Sequence, residues 1–154
     1  MQPGGPPRRS RTSPSFPACR SLTRDTGSMT RRSVHSGSPY EELIGFRRGV
    51  RLGSVIAISG TAPVWPDDFV DPDPVAQARR CWEIALEALE HLGGRREDVL
   101  RTRQYVVSAD EADDIGTVHG EVFGDVLPAS TMVVVAGLLD PRWRVEVELD
   151  AVVD

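Results

Sequence analysis

The chain has no lysine: all 18 of its basic residues are arginine, a bias that reflects coding composition more than mechanism. Cysteine is nearly as scarce. Cys19 and Cys81 lie in unlike settings and make no disulfide framework, which points to a reducing compartment, the cytoplasm. No apolar run approaches the length that spans a bilayer, and no apolar stretch of the secretory kind follows the charged N-terminal residues. Metal-ligand spacing is missing too. His119-Gly120-Glu121 echoes the His-x-Glu of zinc deaminases, but no Pro-Cys-x-x-Cys follows it. His35, His91 and His119 show no ligand spacing with one another or with either cysteine, so no metal is expected. There is no Gly-x-Ser-x-Gly elbow for a hydrolase, and Gly93-Gly94 lacks the lysine of a phosphate loop.

What is present is unevenly spread. Through Arg32, seven arginines face the single acid Asp25, roughly +6; the remainder sets eleven arginines against 22 of the 23 acids, roughly −11. Residues 1–30 are rich in proline, arginine and serine with almost nothing to bury, and are expected to be a disordered tail before one domain over 31–154. The Arg/Ser composition resembles an organelle transit peptide, but its prolines spoil an amphipathic helix. Composition favours a start codon placed too early, with Met29 as the true start. The acidic balance of the folded part argues against nucleic-acid binding, which needs a basic face toward phosphates.

The order of elements is legible from Arg32 onward. Ser33–Ser36 reads as a first strand, and Phe46–Leu52 with Val55–Ser59 as a hairpin across Gly53-Ser54. Gly60–Asp73 is an acidic, proline-rich loop. Asp73 caps and Pro74 opens a helix to Leu92, whose Val75, Ala78, Trp82, Ala85, Leu89 and Leu92 share one face. Val99–Val107 is a strand. Asp110 or a neighbour caps a second helix with Ala112, Ile115, Val118, Val122 and Phe123 buried. The stretch 128–153 reads as two strands joined by a tight connection. Thr131–Val135 has the continuous apolar pattern of a strand buried on both faces, and Arg144–Val153 alternates. The layout is α+β, order β-β-β-α-β-α-β-β, with both helices on one face of a single mixed sheet.

Several of these stretches, in this order, are similar to the Rid family, the reactive intermediate deaminases or YjgF superfamily, also labelled endoribonuclease L-PSP. They are Ser38-Pro39-Tyr40, Ile58-Ser59-Gly60-Thr61-Ala62-Pro63, Gln77-Ala78-Arg79, Pro128-Ala129 and Val145-Glu146-Val147-Glu148. The resemblance implies a chorismate-mutase-like subunit, a homotrimer with a ligand cleft at each subunit interface, and hydrolysis of small imines and enamines without metal or cofactor. It implies that Tyr40 and Glu146 are catalytic, Glu146 positioning the attacking water, and that Ser59 and Gly60 line the cleft. The chemistry suits a carboxylate, which can orient a water or shuttle its proton. Ser130 departs from the pattern. The family's deaminases carry there an arginine that forks onto the substrate carboxylate, and a serine hydroxyl supplies neither charge nor fork. The chain therefore resembles a subgroup lacking that arginine, with a substrate altered from the usual 2-imino acids and without their carboxylate.

Two further residues carry two readings each. His119 lies on the face of Ile115 and Val122, either packed and hydrogen-bonded at the core edge or placed in the cleft as a titrating group. Arg103, between Arg101 and Tyr105 on one side of a strand, pairs with a carboxylate or replaces the missing ligand anchor. Trp65 caps a pocket or packs on its own loop. Three functions follow: hydrolytic water addition to a small imine, enamine or related carbonyl; a trimer that binds a metabolite without turnover; or a ribonuclease or translation inhibitor, which the acidic balance disfavours.

Overall fold

The computed structural model describes residues 29–154, so the expected tail through residue 28 lies outside the described residues. The chain builds one six-stranded mixed sheet in the order β1-β2-β3-β6-β4-β5. Its strands are β1 (Arg31–Val34), β2 (Gly49–Leu52), β3 (Val55–Thr61), β4 (Val99–Val106), β5 (Ala129–Val134) and β6 (Val145–Val152). Two helices, α1 (Pro74–His91) and α2 (Ala112–Phe123), complete the α+β order read from sequence.

Local chemistry explains each element. Gly53 takes φ +61°, the left-handed turn a two-residue hairpin between β2 and β3 needs. The Asp73 carboxylate accepts from Val75 N at 3.1 Å and Ala76 N at 3.3 Å, and Pro74 follows it, so α1 starts where capping rules place it. Ala78, Trp82, Ala85 and Leu89 of α1 and Ile115, Val118 and Phe123 of α2 are all buried. They pack on Val145, Val147, Leu149 and Ala151, the buried alternate residues of β6. Both helices cover that face, and Glu146, Glu148 and Asp150 point from the other.

Three expectations need correction. β1 begins at Arg31 rather than Ser33, and β2 begins only at Gly49, because Glu41–Gly45 forms a single π-helical turn that delays the strand. The cap expected at Asp110 or a neighbour falls on Ser108, which accepts from Asp110 N at the start of a 3₁₀ turn before α2. β5 and β6 are not neighbours: β5 pairs in parallel with β4, reached through α2, and β6 inserts between β3 and β4. Residues 135–144 therefore cross the end of β4 instead of turning tightly. Finally, β5 is an edge strand with five of its six residues exposed, so two-sided burial of Thr131–Val135 is not met within one chain. No helix among the described residues is long and apolar enough to cross a membrane.

One polar side chain ties these layers together. Gln77, fully buried in the first turn of α1, donates to Asp71 O at 2.7 Å and Arg142 O at 3.0 Å, and accepts from Arg144 N at 2.7 Å. It thus fastens the loop before α1 and the start of β6 to one point, two residues from Glu146. Gln77→Leu would leave three backbone groups unpaired at 1–3 kcal/mol each for a buried orphan. Chemical denaturation should show a loss of roughly 3 kcal/mol or more; a variant as stable as the parent would mean water replaces the amide.

Candidate functional site

Local backbone around β3 creates the site. The pairing of β3 with β6 shifts register between Ile58 and Thr61, and the irregularity holds Gly60 against β6. A Cβ on Gly60 would run into Glu146 Oε1, so this position has to be glycine for the carboxylate to sit where it does. Arg48, just before β2, braces the irregular stretch: its Nη1 donates to Gly60 O and to Thr61 Oγ1, both at 3.0 Å. Thr61 Oγ1 in turn donates to Ser59 O at 2.8 Å, and Ser59 Oγ donates to Arg47 O at 2.7 Å. The serine hydroxyl is therefore engaged with backbone while its residue still faces the cavity.

That cavity, about 1430 Å³ and open on one side, is lined by Tyr40, Ser59, Gly60, Arg48 and Glu146 together with the apolar Ile44, Phe46, Ile84, Leu139 and Trp143. Four of the seven sequence candidates are thus brought together: Tyr40, Ser59, Gly60 and Glu146. Burial pushes the Glu146 carboxyl above its ordinary range; the Arg48 charge opposes that shift and Glu148 adds to it. A carboxyl whose protonated form burial favours is suited to taking and returning a proton.

The other three candidates lie elsewhere in the chain. Ser130 pairs with Thr102, which pairs with Leu149, three residues beyond Glu146 and on the opposite face of β6. Two strand spacings, about 10 Å, and a further 10 Å or so along the strands separate it from Glu146. His119 accompanies Ser130's neighbour: its Nε2 is 2.8 Å from Thr102 Oγ1, and its ring meets Trp82 and Phe123. Burial lowers its pKa, which favours the neutral ring. Arg103 is tied to Glu148 at 2.7 Å and Asp150 at 3.2 Å on the uncovered sheet face. Trp65 meets Phe69 edge-on within its own loop. Among the described residues no cluster of three or more His, Cys, Asp or Glu side chains is placed to hold a metal.

Sequence reasoning missed Glu41 and Arg48. Glu41 is 2% exposed. It accepts from Ser36 N at 2.7 Å, Ser36 Oγ at 2.9 Å and Arg48 N at 3.1 Å, with His35 Nδ1 at 3.3 Å. It joins the chain before the π-helical turn to the chain after it. The signal was thin: in Tyr40-Glu41-Glu42 nothing marks the first acid as buried and the second as exposed.

Comparison with known proteins adds a second, independent line. The family model for endoribonuclease L-PSP matches residues 39–153. The uncharacterized protein SCO2049 of Streptomyces coelicolor is 37% identical over 121 residues, 78% of this chain and 90% of its own length. The crystal structure of Rv2704 from Mycobacterium tuberculosis, a member of the YjgF/YER057c/UK114 family, superposes with TM-score 0.75 at 35% identity, covering 80% of this chain and all of that one. The YjgF gene product of E. coli gives TM-score 0.66 at 28% identity over 71% of this chain and 88% of that one.

Glu41 bonds Ser36 and Arg48, two residues of the cavity wall. The backbone N–H of Ser36 holds its carboxyl below the usual range, with the Ser36 hydroxyl, Arg48 N–H and His35 charge assisting and burial opposing. A depressed folded pKa stabilises above the ordinary carboxylate range and is lost as pH falls through the folded value. Glu41→Gln should therefore lower Tm at neutral pH, and the gap from the parent should close in acid. A gap that is constant with pH would show that shape, not charge, is what Glu41 supplies.

Proposed function

The chain belongs to the endoribonuclease L-PSP family, which includes the YjgF/Rid proteins, and from that premise we propose that it hydrolyses a small imine, enamine or related carbonyl compound in a cleft between subunits of a homotrimer. The observation that carries this reading is Glu146: a partly buried carboxyl, its pKa raised, aimed into a cavity beside Gly60 and Tyr40. Water adds to the electrophilic carbon as Glu146 takes its proton. Glu146 returns that proton to nitrogen, giving a carbinolamine; moving the carbinolamine's hydroxyl proton to the same nitrogen breaks the C–N bond and releases ammonia and the carbonyl, so the carboxylate ends as it began. Tyr40, a residue 59% exposed that lines the cavity, offers its hydroxyl as a hydrogen-bond donor to substrate or water.

Assembly follows from what one chain leaves unburied. β5 has a free edge, and Val55 and Val152, cross-strand partners on the uncovered face, are about half exposed. A bare parallel edge and a partly apolar sheet face are what a second copy would cover. Ser130 and Glu146, far apart within a chain, can share a cleft only if β5 of one subunit meets β6 of another. Light scattering at micromolar concentration should give three times the chain mass. A folded monomer would remove the interfacial cleft.

The substrate is altered from the usual 2-imino acids, because Ser130 offers no guanidinium. The same residue favours a second reading, a trimer that binds its ligand without turnover. Glu146→Gln separates the two. In a coupled assay with enzymatically generated imines, an enzyme should keep its fold and lose about a hundredfold or more in kcat. A parent with no turnover on any imine would leave only binding. Ribonuclease action fits least, since the folded part is strongly acidic.

A further inference from the structure

Among the described residues the Glu146 carboxyl makes no hydrogen bond and no ion pair; what it feels is burial and two charges, Arg48 and Glu148. Arg48 reaches it by way of Gly60. The guanidinium Nη1 donates to Gly60 O and Thr61 Oγ1, both at 3.0 Å, and Gly60 is the residue whose missing Cβ leaves room for Glu146 Oε1. Two neutral acceptors do not require a charged donor, since one amide nitrogen carries two N–H groups. Arg48 is half-buried and its Nε has no partner, which is unfavourable unless the charge itself is used. Two carboxyls act on that charge, Glu41 and Glu146. Glu41 already accepts from Ser36 N, Ser36 Oγ and the backbone N–H of Arg48, whereas Glu146 has no other cation. The remaining titratable groups toward Glu146 are Tyr105, its partner on β4, and the Cys81 thiol on α1; burial raises both and keeps them neutral near neutral pH. The cavity wall also holds His35, Tyr40, Arg80, Glu87 and His91, but of the groups in that wall only Arg48 acts on the Glu146 charge.

We propose that Arg48 is a positioning residue for the hydrolysis: through Gly60 it fixes where the Glu146 carboxylate stands, and its charge supports the ionised form that takes a proton from water. The inference rests on reading Glu146 as the acid of the cleft. Burial alone would leave that carboxyl protonated to higher pH, able to give a proton but not to take one first. A cation bound to Gly60 tempers the effect of burial without locking Glu146 into a salt bridge. The carboxylate thus stays free to accept a proton from water and to pass it on. Both groups belong to one chain, so this pairing needs no second subunit.

NMR of the full chain tests this without turnover. The Glu146 side-chain carboxyl, identified by its disappearance in Glu146→Gln, is titrated in the parent, in Arg48→Gln and in Arg48→Lys. Arg48→Gln keeps a donor for Gly60 O but removes the charge. Its Glu146 midpoint should rise by about one pH unit, the lower end of what a nearby opposite charge does. Arg48→Lys should return most of that shift. The acidic limb of kcat/KM for imine hydrolysis should move up together with the midpoint. A brace with no electrostatic role would lower Tm in both variants and move neither midpoint nor limb, and that result would overturn the proposal. If Arg48→Gln does not fold, the parent decides. Its Arg48 Nε–H resonance should shift through the Glu146 midpoint, and that step should vanish in Glu146→Gln. A resonance blind to the midpoint, or a step that survives in Glu146→Gln, would be equally fatal. Midpoints coupled as expected in a parent that hydrolyses no imine would sink the enzymatic reading alone. Imine turnover with an unmoved midpoint in Arg48→Gln would sink the role of Arg48 alone.

Discussion

A carboxylate that is partly stripped of water at the start of β6 is the constraint around which one end of the fold is arranged. Glu146 needs room beside β3, and a glycine within a register shift provides it. The shifted strand needs bracing, and Arg48 supplies it through Gly60 O and Thr61 Oγ1. Arg48 needs a fixed backbone, and Glu41 holds its N–H. The start of β6 needs a fixed origin, and the buried amide of Gln77 gives it one. Each support is a polar group in a half-dry place, hydrogen-bonded to the next. That is how a small domain keeps one acid displaced from its ordinary ionisation without losing the fold.

The architecture was readable because its signals were local. Asp73-Pro74 announces a helix start, Gly53-Ser54 a hairpin, and the spacing of Ala78, Trp82, Ala85 and Leu89 a single buried stripe. Strand order was less legible, since nothing in Val145–Val152 says that it inserts between β3 and β4; pairing depends on chain segments far away in sequence. The π-helical turn at Glu41–Gly45 escaped notice for a related reason. Its stability comes from Ser36 and Arg48 closing on Glu41, contacts that periodicity does not encode.

The candidate site divides along the same line. Tyr40, Ser59, Gly60 and Glu146 were found through an ordered set of short motifs, and the fold gathers them in one cavity. Arg48 sits in no such motif, and a sequence window cannot distinguish it from Arg47 beside it. The two differ only in what they meet: Arg47 reaches Glu42 at 2.9 Å, while Arg48 turns toward Gly60. His119 and Arg103 show the converse limit. Residue type and face suggested chemistry for both, and within the chain one is hydrogen-bonded to Thr102 and the other to Glu148 and Asp150.

The insertion of β6 between β3 and β4 bears on how the chain is made. Of the elements described, the last to leave the ribosome is an interior strand of the sheet, the one whose Val145, Val147, Leu149 and Ala151 complete the core. Until it arrives, β3 and β4 have no partner along their facing edges, and the apolar faces of α1 and α2 have nothing central to close on. Helices and the β2–β3 hairpin can form early, because their contacts are local, but the sheet cannot zip from the N-terminus during synthesis. Closure of the sheet therefore waits for β6. Without β6, two strand edges lie unpaired at once, those of β3 and β4 that face each other.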